Sequence, residues 1–310
     1  MTETLADSPV VVLKEVGPRD GLQNEPVTVP TDVKVELVNR LSAAGFRYIE
    51  VSSFVSPKWI PQLADASDVF NRIERRPGVE YSALVPNEQG LERALAAGVD
   101  AVNVFMSASE THNRKNINKS ISDTFPVLRR VIEGAKAAGK PVRGYVSTVF
   151  GCPYEGAVPL EQVVRVCDTL IHLGVDELSL GDTIGVAVPT QVRTVVRAVR
   201  ERMGLDRIGL HFHDTYGMAV ANVVAGYEEG VRIFDGSVGG MGGCPYAPGA
   251  SGNVATDDLL YLLHRMGIST GIDEEAVAAL TKWLEQQVQR PLLSHARTVA
   301  RGKEGDVCGD

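Results

Sequence analysis

AAGFRYIEV (residues 43–51), AAGVDAVNV (96–104) and HLGVDELSL (172–180) repeat one pattern, in which a glycine is followed at once by a new apolar run. Glycine at that point supplies the left-handed backbone that ends a helix, and the run after it has the length and composition of a buried strand. Each stretch therefore predicts a short helix-to-strand turn. The same alternation extends outward over the chain, with strand-like runs at Val10–Val16, Tyr48–Ser52, Glu80–Val85, Ala101–Met106, Val142–Val149, Glu177–Leu180, Ile208–Phe212 and Ile233–Val238. Between them lie segments of helical spacing, such as Val33, Leu37, Val38 and Leu41, or Val163, Val166, Leu170 and Leu173. Several open at proline or a capping residue (Pro30-Thr31-Asp32, Val188-Pro189-Thr190), and several close at Gly45, Gly98, Gly139 or Gly174. Eight such units without a low-complexity linker predict a (β/α)8 TIM barrel, with a doubly wound open sheet as the alternative. Residues 1–290 are expected to form that single domain, including an additional C-terminal helix over Asp273–Gln289. Residues 291–310, polar and glycine-containing, are expected to be a disordered tail.

Composition narrows the function. The 310 residues are 44% hydrophobic and 23% charged, enough for one large core. A net charge of -8 argues against a nucleic-acid or anionic-membrane binder, which needs clustered cations. No apolar run approaches the roughly 18 residues of a bilayer span, and MTETLADSPV lacks the basic and apolar regions of a secretory signal. A cytoplasmic location is expected. Cys152, Cys167, Cys244 and Cys308, without CxxC pairing, are read as free thiols in a reducing compartment.

In such barrels active sites lie at the C-terminal ends of the strands. Those ends carry Arg19 and Asp20 in EVGPRDGLQNE, then Glu50, Ser52 and Ser53, then Arg143 and Tyr145. Asp182 follows in SLGDTIG, and His211 and His213 in LHFHDTYG. Residues two apart in a strand share a face, so both histidines can converge on one ion while Phe212 points away. Two imidazoles with an oxygen ligand such as Asp20 suit Mg, Mn, Co, Fe or Zn. Glu50, in the otherwise apolar YIEVSSF, requires a partner if buried, and Arg19 on the adjacent strand is the expected one. The glycine-rich segment Val238–Asn253 is read as a mobile lid carrying Cys244 and bringing Asn253 to the metal, or more plainly as a flexible loop. Its near-echo GCPYEGAVP places Cys152 after strand five, where a structural role is expected. The run SASETHNRKNINKS (107–120), with Arg114, Lys115 and Lys119, is either a solvated loop or a cradle for the phosphates of an anionic cofactor tail.

Together EVGPRDGLQNE, SSFVSPKWIPQLAD, RGYVST, FGCPYEG, SLGDTIG, HFHDTYG and GGCPYAPGASGN resemble the 3-hydroxy-3-methylglutaryl-CoA lyases of the DRE-TIM metallolyase superfamily, over roughly Val10 to Met266. The resemblance implies divalent-metal-dependent retro-Claisen cleavage of a CoA thioester, as in leucine degradation, with Mg or Mn as the ion and a homodimer as the assembly. It implies Asp20, His211, His213 and Asn253 as metal ligands. By the same resemblance Arg19 matches the arginine that faces the enolate, Glu50 its acidic partner, Cys244 the cysteine of the active-site loop and Asp182 a further acid near the substrate. His213 and Asp182 are the candidate bases, and Arg19, Gln23, Ser53 and Tyr145 the substrate-binding candidates. Pro26 departs from the lysine that mitochondrial members carry after QNE. A lyase for a longer 3-hydroxy-3-alkylglutaryl-CoA and a homocitrate or isopropylmalate synthase-like condensing enzyme are the alternatives. A non-catalytic barrel would have lost ligands or lid, and this sequence retains both.

Overall fold

The computed structural model of the protein describes residues 10–243 and 252–306. Eight parallel strands close into a barrel in chain order. They are β1 (Val12–Glu15), β2 (Tyr48–Ser53), β3 (Glu80–Leu84), β4 (Ala101–Ser107), β5 (Val142–Ser147), β6 (Glu177–Asp182), β7 (Ile208–Phe212) and β8 (Ile233–Gly236). The ring is completed by β1 against β8, in register from Val12↔Ile233 to Glu15↔Gly236, which removes the open-sheet alternative. Helices α1 (Thr31–Ala43), α2 (Ala66–Arg72), α3 (Glu88–Ala96), α4 (Glu110–Ile117), α5 (Ile121–Ala137), α6 (Leu160–Leu173), α7 (Pro189–Arg200), α8 (Ala219–Glu228) and α9 (Thr256–Arg265) surround it. The helix-to-strand glycines behave as their sequence requires. Gly45 has φ +101°, and a Cβ there would lie 2.5 Å from the Gly271 carbonyl oxygen, so both the conformation and the space exclude a side chain.

Two different interiors follow from strand alternation. Leu37, Val38, Leu41, Val102, Val104, Val166 and Leu170 fill the layer between sheet and helices, all fully buried. Inside the barrel the packing is polar. Arg143 and Tyr145, two apart on β5, reach Asp235 on β8 and Glu50 on β2, while Val142 and Val146 join the apolar layer. The charges are paired in series, with Lys14 Nζ 2.9 Å from Glu177 Oε2, Arg143 Nε 2.5 Å from Glu177 Oε1, and Arg143 Nη2 2.7 Å from Asp235 Oδ1. This pairing satisfies the electrostatic demand of burying ions.

The additional helix expected at the C-terminal end is α10 (Glu274–Val288), where Asp273 accepts the amides of Glu275 and Ala276. The expected disordered tail is corrected. Residues His295–Asp306 form helix α11, docked by ion pairs that a reading of composition overlooks. Arg297 is 7% exposed and binds Glu285 at 2.7 Å and Glu304 at 3.0 Å. Asp258 accepts the amides of His295 and Ala296. Residues 307–310 lie outside the described residues. Among the described residues no helix is long and apolar enough to cross a membrane.

Candidate active site

The chain leaves β1 through a five-residue π-helical turn, Gly17–Gly21, in which the amides of Arg19, Asp20 and Gly21 converge on the Val16 carbonyl. That turn sets Arg19 and Asp20 side by side over the barrel mouth. Glu15 braces it from beneath. Its Oε1 accepts the Gly17 amide (2.8 Å) and the Val238 amide (2.9 Å), and Oε2 accepts the Thr256 hydroxyl (2.6 Å). Burial pushes this carboxyl up to about 8 despite those donors. The folded pKa therefore stands above the unfolded one, so the favourable contribution is complete below about 4.5 and lost as pH rises through 8. Glu15→Gln keeps an oxygen for both amides and turns an NH2 toward Thr256. Its stability relative to the parent should rise between those pH values, by ~1–3 kcal/mol at the alkaline end. Urea unfolding at pH 5 and pH 9 checks this, and a constant difference would refute it.

Asp20, His211 and His213 present ligand atoms within 4.8 Å of one another. Nε2 of His211 lies 3.9 Å, and Nε2 of His213 4.0 Å, from Asp20 Oδ2. These separations are too long for hydrogen bonds, but they match ligands about 2.0–2.2 Å from a shared ion, which sit roughly 3–4.3 Å apart. Burial raises Asp20, but Arg19 and the two imidazoles outweigh it and hold the carboxyl down at about 2. Burial and the neighbouring His211 hold His213 down at about 4, so it stays a neutral ligand. Asn253 arrives through an antiparallel bridge to His213. Its Nδ2 is 2.9 Å from Asp20 Oδ2, and its Oδ1 is buried with no hydrogen-bond partner. Turning the amide over directs Oδ1 to the same point, where only a cation would reconcile two oxygens. The donor set thus fits a hard or borderline divalent ion.

Asp235 is a positioning residue that the reading of the sequence missed. Asp235, at the end of β8, lies 3.1 Å through Oδ2 from His211 Nδ1 and is itself held by Arg143 and by the Ser179 hydroxyl at 3.1 Å. Burial works against its charge, but Arg143 keeps it ionised well below the usual carboxylate range. Asp235 therefore accepts a hydrogen bond from Nδ1–H and leaves the Nε2 lone pair facing Asp20. The rule that drew attention to the other strand ends would have found it. Asp235→Asn should weaken Mn(II) binding by about 10–100-fold in calorimetric titration. An unchanged Kd would remove Asp235 from this role.

Arg19 is the other half of the site. Its Nε donates to Glu50 Oε2 at 2.7 Å, and Nη1 reaches Asp20 Oδ1. Glu50, 3% exposed, also receives Asn103 Nδ2 at 2.8 Å and the Tyr145 hydroxyl at 3.3 Å, so it is the partner expected of it. Arg19, Asp20, Gln23, Tyr145, His211 and His213 line a cavity of 340 Å³ at the C-terminal end of the barrel. Gln23 Oε1 is buried there without a hydrogen-bond partner.

Other expected residues stand further back. The Ser53 hydroxyl accepts the Val55 amide at 3.2 Å, and Ser53 does not line this cavity. Asp182 has its two oxygens on the amides of Val186 and Ala187 (3.0 and 2.9 Å), holding the turn whose Gly181 and Thr183 do line it. Burial raises its carboxyl to about 6. Cys152 is buried beneath Ser109 and accepts the Tyr154 and Glu155 amides, in keeping with a structural thiol. The run 107–120 folds largely into α4, which turns His112 and Asn116 to the cavity and pairs Arg114 with Glu110 at the surface. Cys244 and Cys308 lie outside the described residues. The glycine-rich segment is drawn together at its base: a Cβ on Gly252 would sit 2.4 Å from the Gly242 carbonyl carbon. Beyond it Gly252 and Val254 are bonded to Asp214, Phe212 and Ser237.

A closed (β/α)8 barrel with an Asp-His-His cluster beside an arginine at its C-terminal mouth has the donor set of a divalent-metal enzyme site. The HMGL-like family model matches residues 11–283. The chain belongs to that family. It is 55% identical to hydroxymethylglutaryl-CoA lyase YngG of Bacillus subtilis, over 92% of this chain and 95% of that one. It is 52% identical to a 3-hydroxy-3-isohexenylglutaryl-CoA/hydroxy-methylglutaryl-CoA lyase of Pseudomonas aeruginosa, over 86% of this chain and 89% of that one. The structure of an HMG-CoA lyase of Acinetobacter baumannii in complex with coenzyme A and 3-methylmalate superimposes with a TM-score of 0.90 at 41% identity, covering 94% of this chain and 95% of that one.

Proposed function

We propose that this chain cleaves 3-hydroxy-3-methylglutaryl-CoA to acetoacetate and acetyl-CoA. The observation that carries the reading is the convergence of Asp20, His211 and His213 beside Arg19 in one cavity. A Mg or Mn ion held by those three, with Asn253 as a further ligand, would polarise the 3-hydroxyl and orient the substrate. The candidate bases for the hydroxyl proton are Asp182, whose carboxyl burial raises to about 6, and His213, which can accept it only where its Nε2 is not engaged on the ion. As the C2–C3 bond breaks, its electron pair moves to C2 and onto the thioester oxygen, while C3 becomes the ketone of acetoacetate. Arg19, fixed by Glu50, faces that enolate charge. Cys244, by family resemblance, returns a proton to C2. Gln23 and Tyr145 border the substrate. The family resemblance favours a homodimer acting in leucine degradation, and the free thiols of Cys152 and Cys167 suit a cytoplasmic location.

Acetoacetate release from the purified protein with Mg or Mn, after chelation, and in His211→Ala tests this. Release should require the ion and fall by at least a hundredfold in the variant. Absence of release with the ion bound would overturn the reading. Free CoA from acetyl-CoA and a 2-oxo acid would support the condensing direction instead.

A further inference from the structure

After the barrel is complete the chain returns to its catalytic end. Residues 290–294 run as a short strap between α10 and α11, and Glu285 on α10 folds it. Glu285 Oε1 accepts the Leu292 amide at 3.0 Å and Arg301 Nη1 at 2.7 Å, while Oε2 accepts Arg297 Nε at 2.7 Å, so the strap hangs between two helices fixed to each other. From that base it grips two segments that border the cavity. Arg290 holds Glu25 with both edges of its guanidinium, Nε donating to Oε2 at 3.0 Å and Nη2 to Oε1. Leu293 and Ser294 both donate their amides to the Gly239 carbonyl, at 3.1 and 3.2 Å. Leu292 packs so closely there that a Cβ on Gly239 would lie 2.4 Å from its Cδ1.

We infer that this strap sets the separation of two walls of the cavity, and that Arg290, acting through Glu25, is a positioning residue for the substrate. The inference rests on the lyase reading and deepens it. Glu25 directly follows Gln23 and Asn24, which line the cavity, and its buried carboxylate has Arg290 as its ion-pair partner. The other wall begins at Gly239 and ends at Gly243, which also lines the cavity. Asn24 Nδ2 donates to the Gly243 carbonyl at 3.2 Å, so the walls touch across the mouth and are tied to one strap behind it. A bidentate pair fixes orientation as well as distance. Without Arg290, the Glu25 carboxylate is left buried and unpaired, and the segment must shift to bring it to water. Gln23, whose buried Oε1 has no hydrogen-bond partner, moves with it. The metal ligands are held by other means, Asp20 by the π-helical turn and Asn253 by its bridge to His213. Loss of the strap contact should therefore appear in substrate affinity and spare the metal.

The test uses 3-methylglutaryl-CoA, which lacks the 3-hydroxyl and is not cleaved. In calorimetric titration of the Mn-loaded enzyme, Arg290→Ala should bind this ester about 10–100-fold more weakly than the parent, the cost of a displaced positioning group. KM for the hydroxylated substrate should rise in step, with kcat and Mn(II) affinity within about threefold of the parent, because the walls hold ground state and transition state alike. Arg290→Lys keeps the charge and a donor to Glu25, and should recover most of the affinity. The double variant Arg290→Ala/Glu25→Gln removes the stranded charge, so its thermal midpoint should return toward that of the parent while ester affinity stays low, since nothing ties residue 25 to the strap. Parent-like ester affinity in Arg290→Ala would overturn the inference. So would a double variant in which affinity recovers along with the midpoint, because the pair would then serve stability alone. Ester binding that depends on Arg290 in an enzyme that releases no acetoacetate would sink the lyase reading and leave the strap assignment standing.

Discussion

Arg19→Gln is expected to lower kcat for thioester cleavage by about 10³, the loss typical of one well-placed donor to a developing oxyanion. Metal affinity should hold or tighten, because a cation next to Asp20 competes electrostatically with any ion that Asp20 helps to bind. Glutamine still donates to Glu50, so the turn carrying residue 19 retains a partner for that buried carboxylate. Single-turnover rates and Mn(II) titration on the same preparation separate the two effects. A fall in metal affinity that tracks the fall in rate would place Arg19 in ligand support and deny it the enolate.

The largest effect on stability should come from Arg143→Met. The guanidinium sits between Glu177 and Asp235 inside the barrel, and the Tyr145 hydroxyl receives its Nη1 at 2.9 Å. Removing it leaves Asp235 with an uncompensated buried charge, a change that costs about 3–5 kcal/mol. For a chain of this size the thermal midpoint should fall by roughly 5–15 °C. The double variant Arg143→Met/Asp235→Leu removes both partners and should recover part of that loss, at the expense of His211 orientation. Thermal scans and Mn(II) titration of single and double variants check both parts. A single variant as stable as the parent would show that the interior admits enough water to solvate Asp235.

Much of the fold was legible because glycine-terminated helices and apolar runs are local signals. The strand β7 was read to the residue, and the others to within a few residues. β1 stops at Glu15, short of Val16, because the Val16 carbonyl turns to receive three amides of the π-helical turn. That turn has no local signature beyond Pro18 and Gly21. The candidate ligands were legible through the two-residue period of His211 and His213. Asp235 was open to the same strand-end reading and was passed over, whereas Asn103 lies within β4 and its role comes only from Glu50 on another strand. His112 was missed for a different reason. It falls in a run whose charges suggested a solvated surface, yet α4 buries it against Ser107 and turns it toward the cavity. Helix α11 was invisible to composition because its docking depends on Arg297 meeting Glu285 from another helix.

The pinched base of the glycine-rich segment has an evolutionary consequence. Gly242 and Gly252 bring the entering and leaving chain to one point, and the exit is stitched to β7 before Asn253 reaches the histidines. Residues inserted, deleted or exchanged between those glycines need not shift Asn253, since closing a somewhat longer loop costs little. The placement of Asn253 is thus inherited with β7 and the glycine pair, whatever the length of chain between them.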